Sequence, residues 1–386
     1  MLAYPLTAPR PQGADTSAGR ASKLCSRNRC QHKVPALLAD SGVWSMTQFY
    51  DARGNIYAVV SPQQVRARGV DLPHSAARAA QTRQSWAVAA VHAFCAWAPG
   101  EAPPDAKAHR SDGLLIGPFQ GEPPFDVLIV NTDGTLAERS GNGLTIFSQA
   151  LLEQGLIPDD RDCLLQVHHD QPHGLSPLQT SVRAAGFEGA QGFWLELGQA
   201  LFGSQAVGAR DVENVTFNQR DISRVAALQA LNPGWGNSQF VSIGNPHCVT
   251  LVEGAEALPS NPQMRATALS QPLTRIAYAA PCGSGIPCAM GVNLQWAWLE
   301  AEGRIAARVF ERGEGPTASS GTSASAVACA AWRVGWVKAG PVSVVMPGGI
   351  VPILLQEQGD EQVRVSLFGT AKPIPEPSAQ GSGSVS

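Results

Sequence analysis

The sequence predicts an α/β (α+β) protein of two similar lobes, with a site in the cleft between them. The chain has 386 residues, more than one average domain of roughly 100–200 residues contains. Segments typical of strands and of helices alternate along it. SGN at 140–142 and SGT at 320–322, about 180 residues apart, each follow a polar loop and open a helix of small and apolar residues. This recurrence indicates a duplicated lobe.

The first half has a clear order of elements. Short β-rich runs at 48–50 and 56–60 flank the turn ARGN, and apolar residues at 84–97 have helical spacing. Strand-like runs follow at 114–116 and 127–130. The segment NTDGTLAERSGNGLTIFSQALLEQG then predicts a turn and a helix that ends near Gly155.

The second half repeats this plan. Residues 305–310 form a strand-like run, and ERGEGPTASSGTSASAVACAAWRVG predicts a loop and a helix that ends near Gly335. We expect an N-terminal lobe at 46–185 and a C-terminal lobe at 186–372, with an approximate boundary and with the option that the C-terminal strand returns to the first lobe. Residues 1–45 are interpreted as a disordered leader or an overextended start, and 373–386 as a disordered tail.

Composition narrows the class of ligand. A net charge of -3 produces no field that would attract nucleic acid or an anionic membrane. No apolar run approaches the ~20 residues that span a bilayer. We therefore expect a small-molecule ligand and a cytoplasmic protein.

The eight cysteines lack the dense spacing of a disulfide framework, which favours reduced thiols. Cys25, Cys30 and His32 resemble half a zinc site, but no second Cys/His pair follows at a ligand spacing. The prediction is no metal and no cofactor.

The two helix starts suggest chemistry. A helix start has unpaired backbone N–H groups and a partial positive charge, so it binds anions such as a carboxylate. Gly141, Gly143 and Gly321 allow a ligand to approach the backbone closely. Two such starts facing one carboxylate would stabilise negative charge on its α-carbon. The structural alternative is that Ser140 and Ser320 are ordinary N-caps.

Several segments, in order and spacing, resemble those of diaminopimelate epimerase, a cofactor-independent amino-acid epimerase of two similar lobes. They are NTDGTLAERSGNG, SIGNPHCV, MGVN and VFERGEGPTASSGTSA, with DARGN, MPGG and FGTA as further matches. The resemblance runs from about residue 46 to 371 and is poor between 60 and 111. It implies the fold of that family, a site in the cleft and a homodimer.

The resemblance assigns the catalytic positions to Ser140 and Ser320, where the family has two cysteines. In the family one thiolate removes the α-proton and one thiol delivers a proton to the opposite face. A thiol pKa near ~8.5 can be tuned to neutral pH, whereas a serine hydroxyl needs a neighbouring base. In sequence, Glu138 and Glu314 are the nearest acids.

The resemblance also implies a set of substrate-binding residues. One group would hold the far end of a diaminopimelate-like substrate, with Glu311 on the far ammonium and Arg312 on the far carboxylate; the group is Asn55, Asn131, Asn245, Asn293, Glu311 and Arg312. Backbone amides would hold the reacting carboxylate; they are those of Gly141, Asn142, Gly321 and Thr322. The structural alternatives are turn residues for Asn55 and Asn131 and a surface ion pair for Glu311 and Arg312. His247 is interpreted as structural.

Three functions fit a retained site without its thiols. The first is an epimerase converting LL- to meso-diaminopimelate in lysine and cell-wall precursor biosynthesis, inactive if its thiols were exchanged for hydroxyls to trap ligand. The second is an amino-acid isomerase, dehydratase or cyclase of the same fold. The third is a non-catalytic amino-acid-binding protein.

Overall fold

The computed structural model describes residues 47–104, 106–157, 161–170, 175–359 and 361–375. The leader 1–45, with Cys25, Cys30 and His32, lies outside the described residues, as does most of the predicted tail. The helices are α1 (Pro62–Ala67), α2 (Ala76–Gln81), α3 (Ala87–Cys95), α4 (Gly141–Glu153), α5 (Ala226–Leu231), α6 (Asn261–Arg265), α7 (Thr267–Ala277) and α8 (Gly321–Arg333).

The strands up to residue 224 are β1 (Gln48–Ala52), β2 (Asn55–Val60), β3 (Gly113–Ile116), β4 (Phe125–Asn131), β5 (Cys163–Val167), β6 (Leu178–Phe187), β7 (Ala190–Gln199), β8 (Leu201–Phe202), β9 (Glu213–Phe217) and β10 (Arg220–Arg224). Those that follow are β11 (Ser238–Ser242), β12 (Pro246–Leu251), β13 (Asn293–Ala301), β14 (Arg304–Glu311), β15 (Gly315–Pro316), β16 (Gly340–Met346), β17 (Gly349–Glu357), β18 (Val363–Gly369) and β19 (Lys372–Ile374). The predicted strands at 48–50, 56–60, 114–116, 127–130 and 305–310 are confirmed.

Strand pairing follows the same order twice. In the first half, β1 pairs antiparallel with β2, β2 parallel with β3, and β3 antiparallel with β4. Strand β4 then pairs parallel with β5, and β5, β6 and β7 pair antiparallel in turn. Helix α4 connects β4 to β5, which is the crossover that a parallel pair requires.

The second half has the same sequence of pairings. Strand β11 pairs antiparallel with β12, β12 parallel with β13, and β13 antiparallel with β14. Strand β14 pairs parallel with β16, and β16, β17 and β18 pair antiparallel in turn. Helix α8 lies in the crossover, as α4 does in the first half. The predicted α/β fold of two similar lobes is therefore confirmed.

The two repeats join through their last strands, since β7 pairs antiparallel with β18. The C-terminal strand β19 pairs with β1 and includes residues 373 and 374, which the sequence interpretation placed in the tail. The predicted lobe boundary at 185/186 falls within β6. The division into 46–185 and 186–372 remains a prediction.

Each repeat buries its crossover helix in a hydrophobic core. Fully buried residues on α4 pack with β2, β4, β5 and β7, and small residues on α8 pack with β12, β14, β16 and β17. The apolar face of each helix is thereby removed from water. Gly155 and Gly335 follow these helices with φ of 69° and 75°, so each is ended by a residue in the left-handed region.

The poorly matching stretch between residues 60 and 111 forms helices α1, α2 and α3. Their apolar side chains pack on the outer face of the first sheet, with Trp86 and Phe94 against Val60 and Leu128. This stretch therefore contributes a second hydrophobic layer on the side of the sheet opposite α4.

Candidate active site at two helix starts

Ser140 and Ser320 are the N-caps of α4 and α8. Ser140 Oγ accepts a hydrogen bond from the Gly143 N–H at 3.0 Å, and Ser320 Oγ accepts one from the Ser323 N–H at 3.4 Å. Both serines have extended backbone angles, with φ of -138° and -150°. The capping role is therefore present at both positions.

The two helix starts lie against the same side chain. A Cβ atom added at Gly141 would lie 2.9 Å from Cδ2 of Leu367, and one added at Gly321 would lie 2.6 Å from the same atom. Helices α4 and α8 also contact each other directly. Because one methyl group of β18 touches both glycines, the starts of the two helices are neighbours in space.

Four backbone amides at these starts precede the hydrogen-bonding pattern of their helices. The first intrahelical bonds run from Leu144 N–H to the Ser140 carbonyl and from Ala324 N–H to the Ser320 carbonyl. The amides of Gly141, Asn142, Gly321 and Thr322 come before them, so they have no carbonyl partner within the helix. Two positive helix ends side by side make a site for an anion.

Ser320 has a carboxylate beside it. The Glu311 side chain, at the end of β14, lies close enough to the Ser320 hydroxyl for hydrogen bonding to that hydroxyl to influence its pKa. Burial raises the pKa of Glu311 to about 7; hydrogen bonding to Ser320 lowers it, and the charge of Glu314 and its hydrogen bond raise it. A carboxylate with this pKa is suited to accept a proton near neutral pH. From the sequence, Glu311 was predicted to bind the far ammonium of the substrate, and its proximity to Ser320 was not predicted.

Ser140 has a phenol beside it. The Tyr57 hydroxyl oxygen lies 3.3 Å from Ser140 Oγ, across 83 residues of sequence. The Tyr57 side chain is 7% exposed, and burial raises its pKa. Tyr57 follows Asn55 by two residues on β2, so both point to the same face of the sheet. That alternation is the only sequence signal that could have identified it.

The charge of Glu314 acts on the partners of both serines. Its charge contributes to the raised pKa of Glu311 beside Ser320, and to the raised pKa of Tyr57 beside Ser140. The influence of a charge on a pKa falls with distance. This is consistent with the contact of both helix starts at Leu367, which places the two serines near one region.

The position of Tyr57 depends on a glycine in the next strand. Tyr57 pairs with Gly113 in the β2–β3 register, and a Cβ atom at Gly113 would lie 2.6 Å from Cε1 of Tyr57 and 2.9 Å from the Val130 carbonyl oxygen. We expect Gly113→Ala to lower the free energy of unfolding by roughly 1–3 kcal/mol, the usual cost of overpacking. Urea unfolding measures this. The control is Gly121→Ala, where a Cβ atom meets nothing within 4 Å; equal losses in both variants would contradict the prediction.

Asn245, Asn293 and Arg312 lie in one neighbourhood in the second repeat. Asn293 Oδ1 accepts a hydrogen bond from the Arg312 backbone N–H at 2.9 Å, and an Arg312 guanidinium nitrogen donates to the Met290 carbonyl at 2.7 Å. Asn293 pairs directly with His247 between β12 and β13. The amide of Asn245 lies 2.8 Å from His247 Nε2. The buried His247 thus connects Asn245 to Asn293.

Asn55 and Asn131 lie on the sheet of the first repeat. Asn55 opens β2, and Asn131 ends β4 opposite Gly113. The Asn131 Nδ2 group donates to Thr135 Oγ1 at 2.9 Å, within a turn that also bonds its backbone. Asn131 therefore lies in a turn, and its role in substrate binding remains a prediction.

Among the described residues, five of the six cysteines are buried and Cys282 is exposed. Cys95, Cys163, Cys248, Cys288 and Cys329 are buried. Burial raises the pKa of Cys248 to about 12 and that of Cys288 to about 11. Across the described residues, no group of three or more His, Cys, Asp or Glu side chains is placed to bind a metal ion. In that part of the chain no helix is long and apolar enough to span a membrane.

Known proteins resemble this chain over most of its length. The sequence model of the family described as diaminopimelate epimerase matches residues 239–372. The chain is 29% identical over 258 residues to diaminopimelate epimerase 2 of Nostoc sp., covering 66% of this chain and 77% of that protein. It is 29% identical over 268 residues to the diaminopimelate epimerase of Burkholderia vietnamiensis, covering 68% and 82%.

Among solved structures, a probable proline racemase from Agrobacterium radiobacter K84 is similar with a TM-score of 0.48 and 15% identity, over 85% of this chain and 90% of that one. The sequence matches confirm the resemblance carried by the motifs. By sequence, the chain is similar to the diaminopimelate epimerases.

Proposed function

We propose that this protein is a cofactor-independent isomerase that moves a proton at the α-carbon of an amino acid, with LL-diaminopimelate as its substrate and meso-diaminopimelate as its product. The observation that carries the proposal is the meeting of two serine-capped helix starts at Leu367, each serine with an ionisable partner. The similarity to diaminopimelate epimerases supports the choice of substrate.

The reacting carboxylate would bind between the two helix starts, on the amides of Gly141, Asn142, Gly321 and Thr322. Their positive ends would stabilise the negative charge that develops when the α-proton leaves. Ser140 and Ser320 would then face opposite sides of the α-carbon. Inversion requires two such groups because a single base returns the proton to the side from which it came.

A serine hydroxyl cannot remove an α-proton without a base. At Ser320 the base would be Glu311, because its carboxylate lies within the influence of that hydroxyl and its pKa is raised to about 7. We therefore assign Glu311 to the reacting end of the substrate instead of the far ammonium. The far end would remain with Asn55, Asn131, Asn245, Asn293 and Arg312, the guanidinium pairing with the far carboxylate. Family resemblance extends the proposal to a cytoplasmic homodimer in lysine and cell-wall precursor biosynthesis.

Deuterium exchange tests the proposal. The protein is incubated with LL-diaminopimelate in deuterium oxide, and label at the α-carbon is measured by mass spectrometry. We expect slow exchange by the wild type and faster exchange by the variant Ser140→Cys/Ser320→Cys, because a thiol is the stronger acid.

Absence of exchange in both proteins would overturn the proposed isomerase function. Thermal unfolding with and without LL-diaminopimelate would then show whether the protein only binds it, since a bound ligand raises the midpoint. The matched control is Arg312→Ala, which should lose that stabilisation.

A further inference from the structure

The hydrogen-bonding capacity of Ser140 restricts how its proton points. A serine hydroxyl has one O–H donor and two acceptor lone pairs. One lone pair of Ser140 Oγ accepts the Gly143 N–H at 3.0 Å. The Tyr57 hydroxyl at 3.3 Å then either donates to the second lone pair or accepts the only proton of Ser140.

Donation by Tyr57 is the favoured direction. A phenol is a much stronger acid than an aliphatic hydroxyl, so it is the better donor of the pair. Burial and the charges of Asp112 and Glu314 raise the pKa of Tyr57, which keeps the phenol protonated. With both lone pairs of Ser140 occupied, its own O–H is left to point at a ligand. Ser140 then presents a proton.

Ser320 has the opposite hydrogen-bonding role toward a ligand. Its oxygen accepts the Ser323 N–H, and its partner is the Glu311 side chain. The ionised form of Glu311 only accepts hydrogen bonds, so a hydrogen bond between that form and Ser320 uses the Ser320 O–H. Ser320 is left with a lone pair for the ligand. One serine thus offers a proton and the other offers a place to accept one.

We propose that Tyr57 is a positioning residue that orients the Ser140 hydroxyl as proton donor, so that protons enter the substrate from the Ser140 face and leave it from the Ser320 face. This inference rests on the proposed isomerase function. It assigns Tyr57 a part in the reaction that neither the motifs nor the comparisons with other proteins indicate.

The reaction begins with Tyr57, Ser140 and Ser320 protonated and with Glu311 ionised. The Cα–H bond breaks as that proton moves to Ser320 Oγ, and the Ser320 proton moves to Glu311. The electron pair left on the α-carbon takes the Ser140 proton to form a new C–H bond. The Tyr57 proton replaces the one that Ser140 lost, and solvent restores Tyr57 and removes the proton from Glu311.

The packing of Tyr57 leaves its hydroxyl little freedom. The ring fits against Gly113, where any Cβ atom would overlap it, and the side chain is 7% exposed. Removing only the hydroxyl, as in Tyr57→Phe, keeps this packing. Ser140 would then be free to rotate its proton away from the ligand.

The test separates exchange from inversion. Wild type and Tyr57→Phe are each incubated with LL-diaminopimelate, and separately with meso-diaminopimelate, in deuterium oxide. Label is measured in the recovered starting isomer and in the inverted product. For the isomer whose α-hydrogen faces Ser320, we expect Tyr57→Phe to retain label in the starting isomer while inversion falls about 100-fold, the usual contribution of a positioned acid. Ser140→Ala should give the same pattern.

The matched control is Tyr50→Phe, which removes another buried tyrosine hydroxyl, one bonded to Glu153 at 2.7 Å. It should leave the ratio of exchange to inversion unchanged. A fall of exchange and inversion by one common factor in Tyr57→Phe, or no fall in either, would overturn the proposal while the isomerase stands. An inert wild type would also overturn it, and the variant Ser140→Cys/Ser320→Cys would then show whether the isomerase function fails as well.

Discussion

Replacing Glu311 with glutamine should lower the rate of α-proton exchange with LL-diaminopimelate by roughly 1,000-fold, within the range measured for a general base. Glutamine keeps the size of the side chain and its ability to hydrogen-bond Ser320. It cannot accept a proton, so the Ser320 hydroxyl would have no base. The measurement is label incorporation at a fixed pH above 7, with the thermal midpoint recorded to show that the fold is retained.

The pH dependence gives a second, independent readout of Glu311. Only the ionised carboxylate is a base, so the exchange rate should rise with pH through about 7, the value to which burial raises the pKa of Glu311. Glu314→Gln removes a charge and a hydrogen bond that raise this pKa. The pH range over which the exchange rate rises should therefore move to lower pH. Glu138→Gln is the control, because Glu138 is exposed on the loop before Ser140. If the exchange rate of Glu314→Gln rises over the same pH range as that of the wild type, Glu311 is not the base.

The duplicated helix starts could be predicted because their signals are local. A serine followed by glycine and a run of small residues defines both the N-cap and the start of the helix within a few positions. The same pattern appears at SGN and SGT, so the repeat could be read without any long-range information. The predicted helix ends at Gly155 and Gly335 are local signals of the same kind.

The partners of the two serines could not be predicted because they depend on tertiary contacts. Tyr57 reaches Ser140 only because the register of β2 brings it beside the start of α4. Glu311 pairs with Gly315 across the turn between β14 and β15, and this turn brings the strand end back to Ser320. The nearest acid in sequence, Glu314, instead acts on Glu311 through its charge. Proximity in the chain was a poor guide to proximity in space.

The unfolding free energy should depend on pH through His247, a residue interpreted from the sequence as structural. His247 is fully buried, and burial together with the positive charge of Arg312 lowers its pKa to about 3. The Gln295 side chain lies 2.9 Å from its Nδ1. With the Gln295 nitrogen facing the carbonyls of Asn293 and Cys248, its oxygen accepts from His247 Nδ1. Burial and the charge of Arg312, and not these hydrogen bonds, therefore favour the neutral ring.

The sign of the effect follows from proton binding. Between about pH 3 and the ordinary histidine pKa of about 6.5, the unfolded chain binds a proton at His247 and the folded chain does not. Acid therefore favours unfolding in this range. The contribution of His247 to the unfolding free energy should fall by about 1.4 kcal/mol for each unit by which the pH is lowered. Glu311 has the opposite slope, because its pKa is raised on folding.

Comparison of variants isolates the contribution of His247. Urea unfolding at pH 6.5 and pH 4.5 gives, for the wild type and for His247→Gln, the change in unfolding free energy between the two pH values. On going to pH 4.5, the wild type should lose roughly 2–3 kcal/mol more unfolding free energy than the variant. The matched control is His92→Gln, which changes a histidine exposed on α3. His92→Gln should follow the wild type at both pH values. If His247→Gln loses as much stability as the wild type, His247 is not neutral in the folded protein. The ring would then be charged and would donate hydrogen bonds to both Asn245 and Gln295.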